Sequence, residues 1–160
     1  NPANPRAHYD TTGPEIASAL GDGIDAWVAG VGTTGTFTGV ARFLSERIPG
    51  LLRVAAEPQG SILGGGAPGE HRVEGVGLSF LPEILDRSLI DEVITIPDRE
   101  AFDTARLLAR EEGLLVAGSS GLAAAAARRI ARRLGPGRTV VTLFPDGAER
   151  YPGQGVLENL

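Results

Sequence analysis

The stretch Gly30-Val31-Gly32-Thr33-Thr34-Gly35 joins an apolar run, IDAWVAGV, to a helix-like segment, TFTGVARFLSERI. A loop of this kind suits an anion. Its glycines let backbone N–H groups approach closely, and the following helix N-terminus adds a partial positive charge. Thr33, Thr34 and Thr36 add three hydroxyl donors, which suits a terminal phosphate monoester better than a bridging pyrophosphate. The same residues also match the dinucleotide fingerprint G-x-G-x-x-G. Glu57 ends the next apolar run, 22 residues after Gly35, near where a ribose-binding acid would lie. A nicotinamide or flavin site is therefore a rival reading, and a ligand-free strand-to-helix turn is the plain one. The loop lacks the lysine of a P-loop, which argues against nucleotide triphosphate hydrolysis.

Three further groups could carry chemistry. Ser119 and Ser120 in VAGSSGLAAAAA lie between an apolar run and a helix. Either they cap the helix or one hydroxyl faces a crevice at the carboxyl end of a sheet. The segment APGEHRVEGVGLSF carries Gly69, Gly75 and Gly77 and reads as a loop with accessible backbone. The two histidines, His8 and His71, are far apart and no thiol accompanies them, so no metal site is expected and each is assigned a surface or capping role. Arg128, Arg129, Arg132 and Arg133 read as the solvated face of a helix near its C-terminus.

The positioning elements follow from the apolar pattern. TTGPEIASALG predicts a helix capped by Thr12 and stopped by Gly21. IDAWVAGV, LLRVAAEP, DEVITIP, LLVAG and RTVVTLFPD predict strands. TFTGVARFLSERI, REAFDTARLLAREEG (capped by Asp98, with Ala101, Ala105, Leu108 and Ala109 on one face) and SSGLAAAAARRIARRLG predict helices. Residues 58–73 read as loop, and GVGLSFLPEIL as irregular or strand-like. Strands without polar alternation, interleaved with helices, indicate an α/β fold: three layers, a mostly parallel sheet with helices on both faces.

The bulk properties bound the function. At 160 residues the chain is the size of one domain. It has no cysteine, so disulfides and thiolate metal sites are excluded. A net charge of −5 argues against nucleic acid or an anionic membrane as partner. No apolar run is long enough to span a bilayer. The chain has no methionine and opens on NPANP, which is expected of a processed product, an excised domain or part of a longer protein. All 15 basic residues are arginine, so no lysine amine is available from these residues.

Seven segments in order, NPANPRAHYDTTGPEI, DAWVAGVGTTGTFTGVAR, EPQGS, PGEHRVEGVG, LDRSLIDEV, AREEGLLVAGSSG and FPDGAERY, resemble the cysteine synthase / cystathionine β-synthase family, pyridoxal-phosphate enzymes of fold type II. The likeness runs from Asn1 to about Tyr151. It implies that Gly32, Thr33, Thr34, Gly35 and Thr36 hold the cofactor phosphate, with Thr34 standing where most members carry glycine. It implies that Ser119 hydrogen-bonds the pyridine nitrogen, that Gly75 lies near the reacting amine, and that Pro145 and Asp146 lie near the cofactor ring edge. Gly147 stands where members commonly carry a hydroxyl.

The resemblance further implies a β-replacement enzyme that makes cysteine or cystathionine. Its substrates would be an activated serine (O-acetylserine, O-phosphoserine or serine) and sulfide or a thiol. It implies a homodimer, and a cytoplasmic setting is expected. Members are about twice as long, and their Schiff-base lysine lies upstream of the matched part. The expectation is therefore a C-terminal portion of the large cofactor domain, inactive alone and holding no catalytic residue itself. A nucleotide-binding oxidoreductase domain and a non-catalytic module remain the alternatives.

Overall fold

The computed structural model describes residues 1–153 and Val156. Helices α1 (Ala3–Asp10) and α2 (Thr12–Leu20) lead into strand β1 (Ala26–Gly30), helix α3 (Gly35–Arg47) and strand β2 (Leu52–Pro58). A long irregular stretch then reaches β3 (Glu92–Ile96), followed by α4 (Asp98–Glu112), α5 (Gly118–Leu134) and the short β4 (Val140–Val141). The four strands are parallel in the order β3-β2-β1-β4.

Both faces of the sheet are covered, which is why the strands lack polar alternation. Ala26, Val28, Val54 and Ile94 point to one side, where they pack with Ala101, Phe102, Leu122 and Ile130 of α4 and α5. Trp27, Ala29 and Ala55 point to the other, against Phe37, Val40 and Leu44 of α3 and Ala17 of α2. Burying each such large side chain contributes about 1.5–3 kcal/mol. Helices α4 and α5 touch so closely that a Cβ on Gly121 would lie 2.1 Å from the Ala101 carbonyl oxygen.

β1 sits at the centre of the chain's reversal. The chain moves from β1 to β2 and β3 on one side, then crosses back through α4 and α5 to place β4 on the other side. A crevice at the carboxyl ends of the two strands flanking such a switch is the usual ligand position in open parallel sheets. Here β4 pairs with β1 only at Ala26 and Trp27, so the two chains part above that point. Asp25 holds the start of β4: its carboxylate accepts from Thr139 N (2.7 Å) and Arg138 Nη1 (2.8 Å). Those bonds, Thr139 first, hold the Asp25 carboxyl below its ordinary range.

The structure departs from the sequence reading in four places. The proline-rich opening is a helix, because Pro2 is its N-cap and Pro5 lies in its first turn, where a missing N–H is harmless. LLVAG is no strand: Leu114 and Leu115 are exposed, and only Val116 forms a lone bridge, to Gly147. RTVVTLFPD contributes two strand residues rather than a full strand. Thr12 and Asp98 are first helical residues and not caps. Asp98 Oδ2 instead accepts from Arg72 N (2.7 Å), which fastens the loop around residue 72 to α4. The arginines of α5 are exposed as expected, two of them paired: Arg129 with Glu100 and Arg133 with Glu92.

Candidate functional site

The gap between β1 and β4 is a cavity of about 200 Å³. Of the nine residues singled out in the sequence, Gly32, Thr33, Thr34, Thr36, Gly75, Ser119, Pro145 and Asp146 all line it. Gly35 does not; it faces α1. A wider cleft of about 1140 Å³ opens between α1, α3 and residues 83–88. Several of its charged groups are already matched, Arg42 with Asp86 and Arg6 with Asp10, while Tyr9 donates to Glu46. It holds none of the nine, and the smaller cavity is the better candidate on chemistry.

The loop after β1 is shaped by two close approaches. Gly77 N donates to Val31 O (2.8 Å), and a Cβ on Gly32 would lie 2.5 Å from Gly75 O, so the EGVG segment lies directly on the Gly/Thr loop. On the other side α1 presses against α3. A Cβ on Gly35 would collide with the Asn4 side chain, and one on Gly39 would lie 2.3 Å from Pro5 O. Thr34 has φ +70°, the one non-glycine residue with positive φ among those described. For a β-branched residue this conformation is strained, by about 1–2 kcal/mol.

Helix α1 also reaches the loop's hydroxyls. Asn4 Nδ2 donates to Thr33 Oγ1 (3.2 Å), which leaves the Thr33 proton free to donate onward. His8 bridges Thr12 Oγ1 (Nδ1, 2.9 Å) and Thr36 Oγ1 (Nε2, 3.0 Å). With the proton on Nε2, His8 donates to Thr36 and frees the Thr36 hydroxyl for the cavity; the other tautomer consumes that hydroxyl. Partial burial lowers the His8 pKa, so the neutral ring prevails near neutral pH. His8 is thus a support of the loop, not the surface or capping residue the sequence suggested. No spacing pattern pointed to Asn4 or His8; their role depends on how α1 packs on α3.

The opposite wall separates the two serines. Ser120 Oγ is engaged by the Asp146 carbonyl (3.4 Å). Ser119 is 4% exposed, and its Oγ has no partner. Of the buried side-chain atoms without a partner among the described residues, Thr34 Oγ1 and Ser119 Oγ are the two whose residues line this cavity. Asp146 is held by Tyr151 (Oη to Oδ2, 3.2 Å) and Arg150 (3.4 Å). Burial first, then Asp146, raises the Tyr151 pKa.

Glu57, the residue that a ribose-binding reading requires, is elsewhere. It is fully buried and spends both oxygens on Leu63 N (3.0 Å) and Gly64 N (2.9 Å), with Thr95 Oγ1 at 3.3 Å. It fastens the loop after β2 and does not line the cavity. His71 turns its Nδ1 to Val73 O (3.1 Å). No group of three or more metal-ligating side chains occurs among the described residues, and no helix there is long and apolar enough to cross a membrane.

A cavity with a glycine-lined backbone, a helix N-terminus, threonine hydroxyls on one wall and a buried, unpaired serine on the other can hold a phosphate and a flat ring bearing an acceptor nitrogen. The donor set present fits pyridoxal phosphate on both counts. Comparison with known proteins points the same way. The profile of the family described as "Pyridoxal-phosphate dependent enzyme" matches residues 1–146. The chain is 49% identical over 156 residues to a cysteine synthase of Helicobacter pylori (strain ATCC 700392 / 26695), covering 98% of this chain and 51% of the relative. It is 44% identical over 158 residues to the O-acetylserine dependent cystathionine beta-synthase of Bacillus subtilis (strain 168), covering 99% and 52%. Among solved structures, the O-acetylserine dependent cystathionine beta-synthase from Helicobacter pylori superposes with a TM-score of 0.92 at 49% identity, over 98% of this chain and 51% of that one. O-ureido-L-serine synthase gives 0.93 at 38% identity, over 100% and 51%. The chain spans about half the length of the curated relatives it matches.

Proposed function

This chain belongs to the pyridoxal-phosphate-dependent enzyme family, and we propose that it forms the phosphate-binding and ring-nitrogen side of the cofactor site in a β-replacement enzyme. The observation that carries this reading is the pair of buried hydroxyls without partners, Thr34 and Ser119, in one cavity with the Gly32–Thr36 loop. In this reading the loop's amides and the Thr33 and Thr36 hydroxyls bind the phosphate, with Asn4 and His8 orienting them. Ser119 donates its hydroxyl proton to the pyridine nitrogen, and Gly75 lines the substrate side. Bound pyridoxal phosphate would supply an electron sink for breaking bonds at Cα and Cβ of an amino acid. A serine at the ring nitrogen, in place of a carboxylate, leaves that nitrogen largely unprotonated and moderates the sink, which suits elimination and replacement at Cβ.

Nothing in the chain can be the amine of the family's chemistry, since it has no lysine. That amine and the grip on the substrate carboxylate come from polypeptide outside these residues, and the chain is the C-terminal portion of the large domain. The substrates proposed are O-acetylserine, O-phosphoserine or serine, with sulfide or a thiol. The proposed assembly is a cytoplasmic homodimer. Thr33→Ala combined with Thr36→Ala should weaken binding of pyridoxal 5′-phosphate about tenfold or more, as expected for loss of hydrogen bonds to a charged group. Calorimetric titration reads this directly, and unchanged affinity would remove the loop from the site. Incubated with O-acetylserine, sulfide and cofactor, the chain alone should form no cysteine; turnover would refute the assignment of the amine to other polypeptide.

A further inference from the structure

The Gly75 side of the cavity is bounded by acids. Gly75 has φ +77° and no side chain. Apart from its chain neighbours, the nearest heavy atom among the described residues is Tyr151 Oη, 3.8 Å from where a Cβ would stand. Tyr151 gives its proton to Asp146 Oδ2 (3.2 Å), so the lone pairs of Oη are left to face that space. Asp146 lines the cavity itself, and Glu74, one residue before Gly75, borders an adjoining hollow with Tyr151. The cations of that hollow are engaged nearby. Arg150 pairs with Asp146 (3.4 Å), and Arg72 holds its guanidinium over the Phe102 ring (5.7 Å to the centroid). The Tyr151 hydroxyl registers the balance: after burial, Asp146 and Glu74 raise its pKa, and Arg150 opposes them more weakly. The field at this oxygen is therefore negative despite the arginines.

We infer that Asp146 and Glu74 make this side of the site selective against dianionic β-substituents, so that it accepts a serine activated by a neutral group and rejects a phosphorylated one. The inference rests on the proposed cofactor site, with the substrate beside Gly75, and narrows its substrates: O-phosphoserine is excluded, and O-acetylserine and serine remain. A phosphate monoester carries about −1.5 to −2 charge at pH 7 and three strong acceptor oxygens. Beside Gly75 it would meet two carboxylates and a hydroxyl whose proton is already committed. Repulsion of this kind discriminates between ligands without any added contact to the favoured one. A neutral ester escapes it.

Two stable probes differ only in the β-substituent: the reduced adducts of pyridoxal 5′-phosphate with O-methyl-L-serine and with O-phospho-L-serine. Both present the cofactor's phosphate and ring, and neither needs an amine from the protein. Calorimetric titration of the chain should give the O-methylserine adduct at least about tenfold the affinity of the O-phosphoserine adduct. Glu74→Gln, a change at an exposed position, should narrow that ratio about threefold. Glu74→Gln/Asp146→Asn should bring it near unity, while the new amide still offers Tyr151 an acceptor. Equal or tighter binding of the O-phosphoserine adduct by the unaltered chain would overturn the inference and leave the cofactor site standing. A full ratio in the double variant would overturn the role of the two acids. Binding of neither adduct would overturn the proposed site and this inference with it.

Discussion

Glu57→Ala should destabilise the protein by about 2 kcal/mol, chiefly the penalty of leaving the buried Leu63 amide without its acceptor. Leu63 N and Gly64 N have the Glu57 carboxylate as their partner; Leu63 is buried, whereas Gly64 is exposed and its amide can turn to water. Thr95 loses an acceptor as well. Glu57→Gln keeps the volume but turns an NH₂ towards an N–H donor, so it should recover only part of the loss. Urea unfolding of the two variants separates acceptor chemistry from packing: if Glu57→Gln matches the parent, the carboxylate is not needed. The loop that Glu57 fastens continues to the 75–77 segment, because Ile62 N donates to Leu78 O and Leu78 N to Ser61 Oγ (2.9 Å). The Glu57 variants should therefore also loosen the Gly75 wall of the cavity, which amide exchange at residues 62–78 would register.

Gly39→Ala acts from the other side of the site. The new methyl would lie 2.3 Å from Pro5 O and 2.7 Å from His8 Cβ. One obstacle is backbone, so α1 must move away from α3. Overpacking of this kind costs about 1–3 kcal/mol, but the larger effect is on the loop. Asn4 and His8 ride on α1, and their withdrawal frees the Thr33 and Thr36 hydroxyls from their supports. Affinity for pyridoxal 5′-phosphate should fall about tenfold although no residue of the cavity has been changed. The double variant His8→Ala/Asn4→Ala removes the same supports without the clash and should reproduce the loss of affinity with less loss of stability. If it binds like the parent, α1 contributes packing alone.

How much of this was readable beforehand varied with the physics of each element. IDAWVAGV and LLRVAAEP announced buried strands because both of their faces are covered, so burial left a continuous apolar run. The helix of Ala- and Arg-rich composition was equally plain: one face is buried and the arginines point outward. α1 carries no apolar stripe to reveal it, since it buries none of its residues fully. LLVAG reads as a strand by composition, yet among the described residues only its Val116 forms a bridge, to Gly147. The last strand was overestimated because its residues past Val141 leave β1 to border the cavity. Gly32, Thr33, Thr36 and Ser119 could be picked out by motif and resemblance, and Thr34 stood out as a departure from the common glycine. The positive φ and the missing partner that give it meaning are properties of the fold. Ser119 and Ser120 were indistinguishable as chemical types; their hydrogen bonds separate them.

In the proposed site, the cavity between β1 and β4 recognises the phosphate and ring of the cofactor with residues of this chain. Pyridoxamine 5′-phosphate tests it most directly, because it lacks the aldehyde and so removes any contribution from amine chemistry. Its affinity for the chain, measured by calorimetry, should exceed that of unphosphorylated pyridoxamine by at least about tenfold, and Ser119→Ala should weaken both compounds. Equal affinities for the two, or no binding of either, would contradict the account.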